Sequence, residues 1–188
     1  DDIEIFMYGF IAQCFSRGDQ IFLTIATDGA AGNLNTSQNL KLIRHNEAKK
    51  GLQKLGNPYF LNLPDGKLSA CLEARSIIYN HISDINPDII VTHAPEDYHP
   101  DHRALSLYVS EAAGFKSPVI LADTLMGVNF MPDIYVDIYN FMNEKVNAIL
   151  QHQSQNPENF VDAVKILNGF RSSQCNGPLN TYAEAYRI

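Results

Sequence analysis

The spacing of apolar residues along the chain alternates between helical and strand patterns. From residue 3 to residue 14, apolar side chains recur every three or four positions, which predicts a helix with one buried face. Similar helical patterns cover residues 37–55, 69–85, 101–113, 140–152 and 159–167. Short apolar runs of the kind found in buried strands cover residues 20–27, 59–63, 88–92, 118–123 and 133–138.

This alternation predicts the α/β fold class, as a Rossmann-like three-layer sandwich with helices on both faces of a mostly parallel sheet. In such sheets, functional sites lie in the loops beyond the carboxyl ends of the strands, here residues 27–33, 64–66 and 92–102. The first recognisable element is a helix, so we expect a strand before Asp1 that the given sequence lacks. We therefore interpret residues 1–188 as one domain that is truncated at its N-terminus.

Composition narrows the range of partners. The net charge is −7, and the 14 Lys and Arg residues are scattered, so nucleic acid and anionic membranes are not expected partners. No apolar run approaches the ~18 residues of a membrane-spanning helix. The three cysteines, Cys14, Cys71 and Cys175, form no CxxC pair, which favours reduced thiols and a cytoplasmic location.

The densest group of reactive side chains is the stretch THAPEDYHPDHRA, at residues 92–104. Pro100 suits the first turn of a helix, so His99, Asp101 and His102 are held close together on a stiff backbone. Imidazole and carboxylate are the usual ligands of a catalytic zinc ion. Alternatively, this stretch is a solvated turn in which Asp101 stabilises the start of a helix.

A second acidic group, Asp1 and Asp2, immediately precedes the first predicted helix. At a chain end, two carboxylates are usually only solvated. If a strand precedes them, however, they lie in a strand-to-helix loop at the same sheet edge as His99 and His102.

Several motifs in the expected order resemble the LmbE/PIG-L-like family of zinc-dependent N-acetylglucosaminyl deacetylases. DDIEI resembles the latter part of the family's first signature, His-Pro-Asp-Asp, without the His-Pro. HPDH at residues 99–102 resembles the second signature. Further matches are TDGAAG (27–32), RHNEAKKGLQKLG (44–56), LPDG (63–66), KVNAILQHQSQ (145–155) and YAEAYR (182–187).

The resemblance implies hydrolysis of the N-acetyl group of an amino sugar or sugar conjugate by a zinc-bound water. It implies that Asp2 and His102 are metal ligands and that a third ligand lies upstream of Asp1. Asp1 resembles the general base, and His99 resembles the imidazolium that stabilises the oxyanion. In the family pattern, Asp101 orients that imidazolium and keeps it charged. Arg44 and Asp65 match substrate-binding positions.

Alternatives remain open at this stage. Ferrous iron or another divalent metal also suits such a ligand set. The chain could instead be a non-catalytic sugar-binding member of the fold, or a metal-dependent phosphohydrolase. Arg44 and Glu47, three residues apart, could form a surface ion pair. His93 and His152 have no assigned role. The oligomeric state is open, although the resemblance makes a homo-oligomer one option because homo-oligomers are common in the family.

Overall fold

The α/β class predicted from the sequence is confirmed by a computed structural model, which describes residues 1–32 and 39–188. Its helices are α1 (Asp2–Phe6), α2 (Tyr8–Ser16), α3 (Leu40–Leu52), α4 (Ala74–Ile85), α5 (Pro100–Ala113), α6 (Met142–Ile149) and α7 (Pro157–Gln174). Its strands are β1 (Thr24–Thr27), β2 (Tyr59–Leu63), β3 (Ile90–His93), β4 (Val119–Ala122), β5 (Ile134–Asp137) and β6 (Ala183–Arg187). Residues 37 and 38 of one predicted helix, and Asn33 of the loop at residues 27–33, lie outside the described residues.

The described strands form two sheets rather than one. β1 and β2 pair in parallel, and the second sheet has the order β3-β4-β6-β5. β3 and β4 are parallel, whereas β6 runs antiparallel to both β4 and β5. Among the described strands of this sheet, β6 alone runs against the others, so the prediction of a mostly parallel sheet is confirmed. β6 was not predicted as a strand, because Glu184 and Arg187 interrupt its short apolar run.

The first predicted helix is divided into α1 and α2. Met7 leaves the helical region at φ −136°, and the chain resumes helical geometry at Tyr8. The apolar spacing continues across the break, so periodicity alone could not reveal it.

Local sequence explains where α5 begins and where α4 ends. His99 is the N-cap of α5, its ring accepts a hydrogen bond from the Asp101 N–H, and Pro100 occupies the first turn. Asn86 closes α4 in the left-handed region, immediately before Pro87. The short entry into α5 thus holds its polar first turn in a fixed place.

Two apolar clusters support the elements that carry the site. The larger one packs α1 and α2 against α6 and α7, with Tyr8, Leu52, Ile138 and Ile149 at its centre. The smaller one packs α4 against α5. Across the described ranges, no helix combines the length and the apolar character needed to cross a membrane.

Candidate metal and catalytic site

Asp2, His93 and His102 meet at one point in the fold. One potential ligand atom from each residue lies within 4.8 Å of the others. The Oδ2 atom of Asp2 is 3.3 Å from Nε2 of His102 and 4.0 Å from Nε2 of His93. The structure therefore brings together the two predicted ligands, Asp2 and His102, and adds His93 beside them.

Three different elements supply these side chains. Asp2 is the first residue of α1, His93 is the last residue of β3, and His102 lies in the first turn of α5. The loop from β3 to α5 is therefore at the carboxyl end of a strand, where α/β folds place their functional groups.

His102 is held between two carboxylates. Its Nε2 faces Asp2, and its Nδ1 lies 3.0 Å from Oδ1 of Asp97. Burial opposes a charge on this ring, but the two carboxylates outweigh it and raise the pKa of His102 to about 10. The ring is thus an imidazolium at neutral pH.

The contact with His102 lowers the pKa values of both carboxylates, Asp2 and Asp97. Desolvation raises the pKa of Asp2, but the charge and hydrogen bond of His102 hold that pKa well below its usual value. Burial likewise raises the pKa of Asp97, and hydrogen bonds from His102 and from the His99 backbone lower it below its ordinary value. Both side chains are therefore anions at neutral pH.

His93 packs face to face against His102. The ring centroids are 3.8 Å apart and the planes differ by 5°. Burial, and then the charge of His102, lower the pKa of His93 to about 4, so this ring is neutral at physiological pH. His93 is 5% exposed, and no described group is hydrogen-bonded to its Nδ1.

Asp2 and His102 fit a divalent metal ion. Two ligand atoms about 2.0–2.2 Å from a tetrahedral ion lie roughly 3.3 Å apart, and the observed Asp2–His102 distance is 3.3 Å. His93 fits less well as it stands. Imidazole lone pairs lie in the ring plane, so two stacked rings direct them along nearly parallel planes. His93 would have to turn before both rings could bind one ion.

The predicted catalytic residues Asp1, His99 and Asp101 all line the same cavity as this cluster. The Nδ1 atom of His99 accepts the Asp101 N–H at 3.2 Å, so in this geometry the ring carries its proton on Nε2. The centroid of that ring is 4.7 Å from the His102 ring.

The contacts of Asp101 differ from those that the resemblance implies. Its carboxylate accepts the N–H groups of Gly66 at 2.7 Å and Leu68 at 3.0 Å. Both oxygens of the Asp101 carboxylate are directed at the loop after β2, whereas the backbone N–H of Asp101 binds the His99 ring. A role of Asp101 in keeping His99 charged stays a prediction.

Arg44 and Asp65 contact each other beside the loop that follows β1. The Arg44 Nη1 lies 3.3 Å from Oδ2 of Asp65 and donates to the Gly29 carbonyl at 3.0 Å. Asp65 also accepts the N–H of Ala31. The alternative ion pair of Arg44 with Glu47 is not formed, because the Glu47 carboxylate binds Ser154. Substrate contact by Arg44 and Asp65 stays a prediction.

A cavity of about 900 Å³ connects these groups. Its polar lining includes Asp1, Asp2, Arg44, Asp65, His99 and His102. Its apolar lining includes residues of β1 and β3. The cavity also extends along β1 and β3 as far as α4, so only part of its volume adjoins Asp2 and His102.

Sequence reasoning missed Asp97 and left His93 without a role. Both residues lie in the stretch at 92–104 that is rich in reactive side chains. Neither belongs to a motif with a recognisable spacing, so the sequence alone does not indicate their roles. His152 does not belong to the candidate metal group, and its Nε2 pairs with Glu4 at 2.8 Å in the interior.

Comparisons with known proteins give two matches in sequence. A family model described as PIG-L, GlcNAc-PI de-N-acetylase, matches residues 1–113. A diacetylchitobiose deacetylase of Thermococcus kodakarensis is 28% identical over 180 residues, which cover 84% of this chain and 67% of that protein.

Solved structures share the fold at lower identity. The N,N′-diacetylchitobiose deacetylase of Pyrococcus horikoshii, in complex with an inhibitor, superposes with a TM-score of 0.83 at 24% identity. The match covers 100% of this chain and 79% of the deacetylase chain. A 4-carboxy-2-hydroxymuconate hydratase of Pseudomonas putida KT2440 superposes with a TM-score of 0.84 at 19% identity, covering 99% and 90% respectively. Because the family match spans more than half of the 188 residues, this chain belongs to the PIG-L family, described as GlcNAc-PI de-N-acetylases.

Proposed function

We propose that this protein hydrolyses the N-acetyl group of an N-acetylated amino sugar or sugar conjugate. The observation that carries the proposal is the pairing of Asp2 with His102 in a cavity that Asp1 and His99 also line. Both diacetylchitobiose deacetylases described above act on such a compound by name.

A divalent metal ion, zinc in the first instance and ferrous iron as the alternative, would be held by Asp2 and His102. When bound, such an ion lowers the pKa of a coordinated water to roughly 7 and polarises the amide carbonyl. His93 lies beside these two residues in the same candidate metal group.

The other side chains of the site have separate roles in this proposal. Asp1 takes a proton from the attacking water and returns it to the amine that leaves. His99 donates from Nε2 to the carbonyl oxygen as negative charge develops there, a contact that strengthens in the transition state. Arg44 and Asp65, on the wall of the cavity, contact hydroxyl groups of the sugar.

The proposal also includes the substrate class, the location, the partners and the assembly of the protein. The substrate is a small molecule, and the enzyme is cytoplasmic with neither nucleic acid nor membrane as partner. A homo-oligomer is one option for the assembly.

The experiment is an assay of acetate release from N-acetylglucosamine and N,N′-diacetylchitobiose. Asp1→Asn and His99→Gln should each lower kcat by about 10²- to 10⁴-fold, the usual contribution of a general acid or base, and should leave zinc content unchanged. Asp84→Asn, an exposed acid on α4, serves as the matched control.

Other outcomes have defined meanings. Sugar binding without acetate release would instead favour the non-catalytic module, and turnover of phosphate esters alone would favour the phosphohydrolase. The structural similarity to a hydratase shows that this fold also supports another reaction, so hydration of an unsaturated dicarboxylate belongs in the same panel. Any of these results without acetate release would overturn the proposal.

A further inference from the structure

Asp97 occupies an unusual position for an acidic residue. It lies in the turn after β3, where its N–H donates to the Ala94 carbonyl, and its side chain is fully buried. One carboxylate oxygen, Oδ1, accepts the His99 N–H at 2.8 Å and lies 3.0 Å from Nδ1 of His102. No described group is hydrogen-bonded to its other oxygen.

Packing does not account for a carboxylate at this place. Burying an anion is costly unless each of its oxygens is paired, and one oxygen of Asp97 is not. An apolar residue of similar size would fill the same space without that cost. The position therefore favours a role that depends on the contact with His102.

The contact with His102 has a specific chemical consequence. A carboxylate only accepts hydrogen bonds, so the His102 nitrogen that faces it must carry a proton. That nitrogen is Nδ1, which leaves Nε2 as the atom with a lone pair once the ring is neutral. Nε2 is the atom that lies 3.3 Å from Asp2.

The ring is also confined on a second side. His93 covers one face of His102 at a centroid distance of 3.8 Å. Asp97 at Nδ1 and His93 against the ring face both favour the observed orientation of His102, which directs Nε2 at Asp2.

We propose that Asp97 is a positioning residue that fixes the tautomer and the plane of His102, so that Nε2 is presented to the metal ion. Paired carboxylates of this kind raise the basicity of a metal-binding imidazole and hold its orientation. The proposal rests on the proposed function only in taking His102 as a metal ligand, and it makes no use of the sugar substrate.

The first test uses the intact zinc-loaded protein. Nitrogen NMR of the ¹⁵N-labelled chain should show Nδ1 of His102 protonated and Nε2 bound to the metal, with scalar coupling from Nε2 to ¹¹³Cd after cadmium exchange. Metal coupling at Nδ1, or an unprotonated Nδ1, would overturn the proposal. This measurement needs no variant, so it decides the question even if substitutions at Asp97 prevent folding.

The second test compares variants by chelator competition for Zn²⁺ alone. Asp97→Asn should weaken zinc binding by about 10- to 100-fold, the range found for outer-shell partners of metal ligands. Asp123→Asn is the matched control, because Asp123 is also a buried carboxylate but pairs with Arg171 outside the cavity lining. That control should lower stability and leave the zinc affinity of the folded protein unchanged.

Equal zinc affinities of Asp97→Asn and the wild type would refute the positioning role. Equal weakening by Asp123→Asn would refute it too, because any lost buried carboxylate would then have the same effect. Absence of acetate release leaves both readouts intact, so failure of the proposed function is distinguishable from failure of this proposal.

Discussion

The Oδ2 atom of Asp2 and the Nε2 atom of His102 lie 3.3 Å apart, although one residue belongs to α1 and the other to α5. This separation matches two ligands of one tetrahedral metal ion. Both residues also titrate in each other's field, because the Asp2 carboxylate favours the charged form of His102. The pair thus binds a proton at the position where we propose that a metal ion is held.

Replacement of His102 should therefore abolish metal binding. We expect His102→Ala to reduce zinc affinity by more than the roughly 10- to 100-fold that is typical of outer-shell partners, because a direct ligand is lost. Metal content after dialysis, measured by atomic absorption, checks this. His45→Ala is the control, since His45 stacks on Phe60 and is absent from the candidate metal group. Unchanged zinc content in His102→Ala would remove His102 from the ligand set.

His93 is expected to act through its ring face rather than through its nitrogens. His93→Phe keeps a flat ring against His102 and removes both nitrogens, so zinc affinity should stay close to that of the wild type. His93→Ala removes the packed ring and should weaken zinc binding about tenfold, at the lower end of outer-shell effects. Chelator competition measures both variants. A large loss in His93→Phe would instead identify His93 as a ligand.

Asp101→Asn separates two roles of this carboxylate. The amide keeps one acceptor oxygen, so one of the hydrogen bonds from Gly66 and Leu68 is lost or weakened, at about 1.5–3 kcal/mol for a charged acceptor. The loop that carries Asp65 should then loosen. We expect a higher KM for the N-acetyl sugar, a lower Tm and a smaller change in kcat.

The opposite pattern would restore the role that the resemblance implies. If Asp101 acts through His99, kcat should fall with KM unchanged, and the pH dependence of kcat should shift. Steady-state kinetics across pH with Asp84→Asn as the control distinguishes the two results.

Much of the fold and part of the site could be predicted from the sequence. Alternating helical and strand patterns gave the α/β class, and the rule on strand ends located the loops at Asp28, Asp65 and His99. These loops do meet, since Asp65 donates its N–H to Asp28 and Asp101 binds Gly66. The proximity of Asp2 and His102 followed from the same rule.

The remaining features depend on partners that no local pattern encodes. The break at Met7 lies inside a continuous apolar spacing, and β6 shows its direction only when it lies between β4 and β5. Asp97 resembles any acid of a polar loop until His102 is placed against it. Periodicity reports which residues are buried, but not which atoms they contact.

Tyr8 provides a test of the core beneath α1 at alkaline pH. Burial, and then the charges of Glu144 and Glu4, raise the pKa of the Tyr8 phenol to about 12, against about 10 in the unfolded chain. Between these values the folded state binds more protons than the unfolded state. Stability should therefore fall as pH rises, by up to about 1.4 kcal/mol per pH unit from this group.

The Tyr8→Phe variant isolates this contribution. Its unfolding free energy, measured in urea at pH 9, 10 and 11, should decline less steeply than that of the wild type. Other groups that titrate in this range are common to both proteins, so the difference reports Tyr8. Parallel decline of the two proteins would contradict the raised pKa.

Gly51 and Gly169 form a matched pair for testing how α1 is held in place. Both lie inside helices, so helix propensity alone predicts that alanine stabilises either position by roughly 1 kcal/mol. At Gly169 a Cβ atom meets nothing within 4 Å, and Gly169→Ala should show that gain. At Gly51 a Cβ atom would lie 2.5 Å from Oε1 of Glu4 and 3.1 Å from the Ala148 carbonyl.

A Cβ atom at Gly51 would clash with Glu4, which forms a buried pair with His152 and anchors α1. Glu4 and His152 are each 1% exposed and lie 2.8 Å apart, so the Glu4 carboxylate cannot move aside without losing its partner. Gly51→Ala should therefore destabilise the protein by about 1–3 kcal/mol, as overpacking does. Because Glu4 and Asp2 share α1, zinc affinity should fall as well. Urea unfolding and chelator competition check both effects, and stabilisation of Gly51→Ala equal to that of Gly169→Ala would show that α1 is not held through this pair.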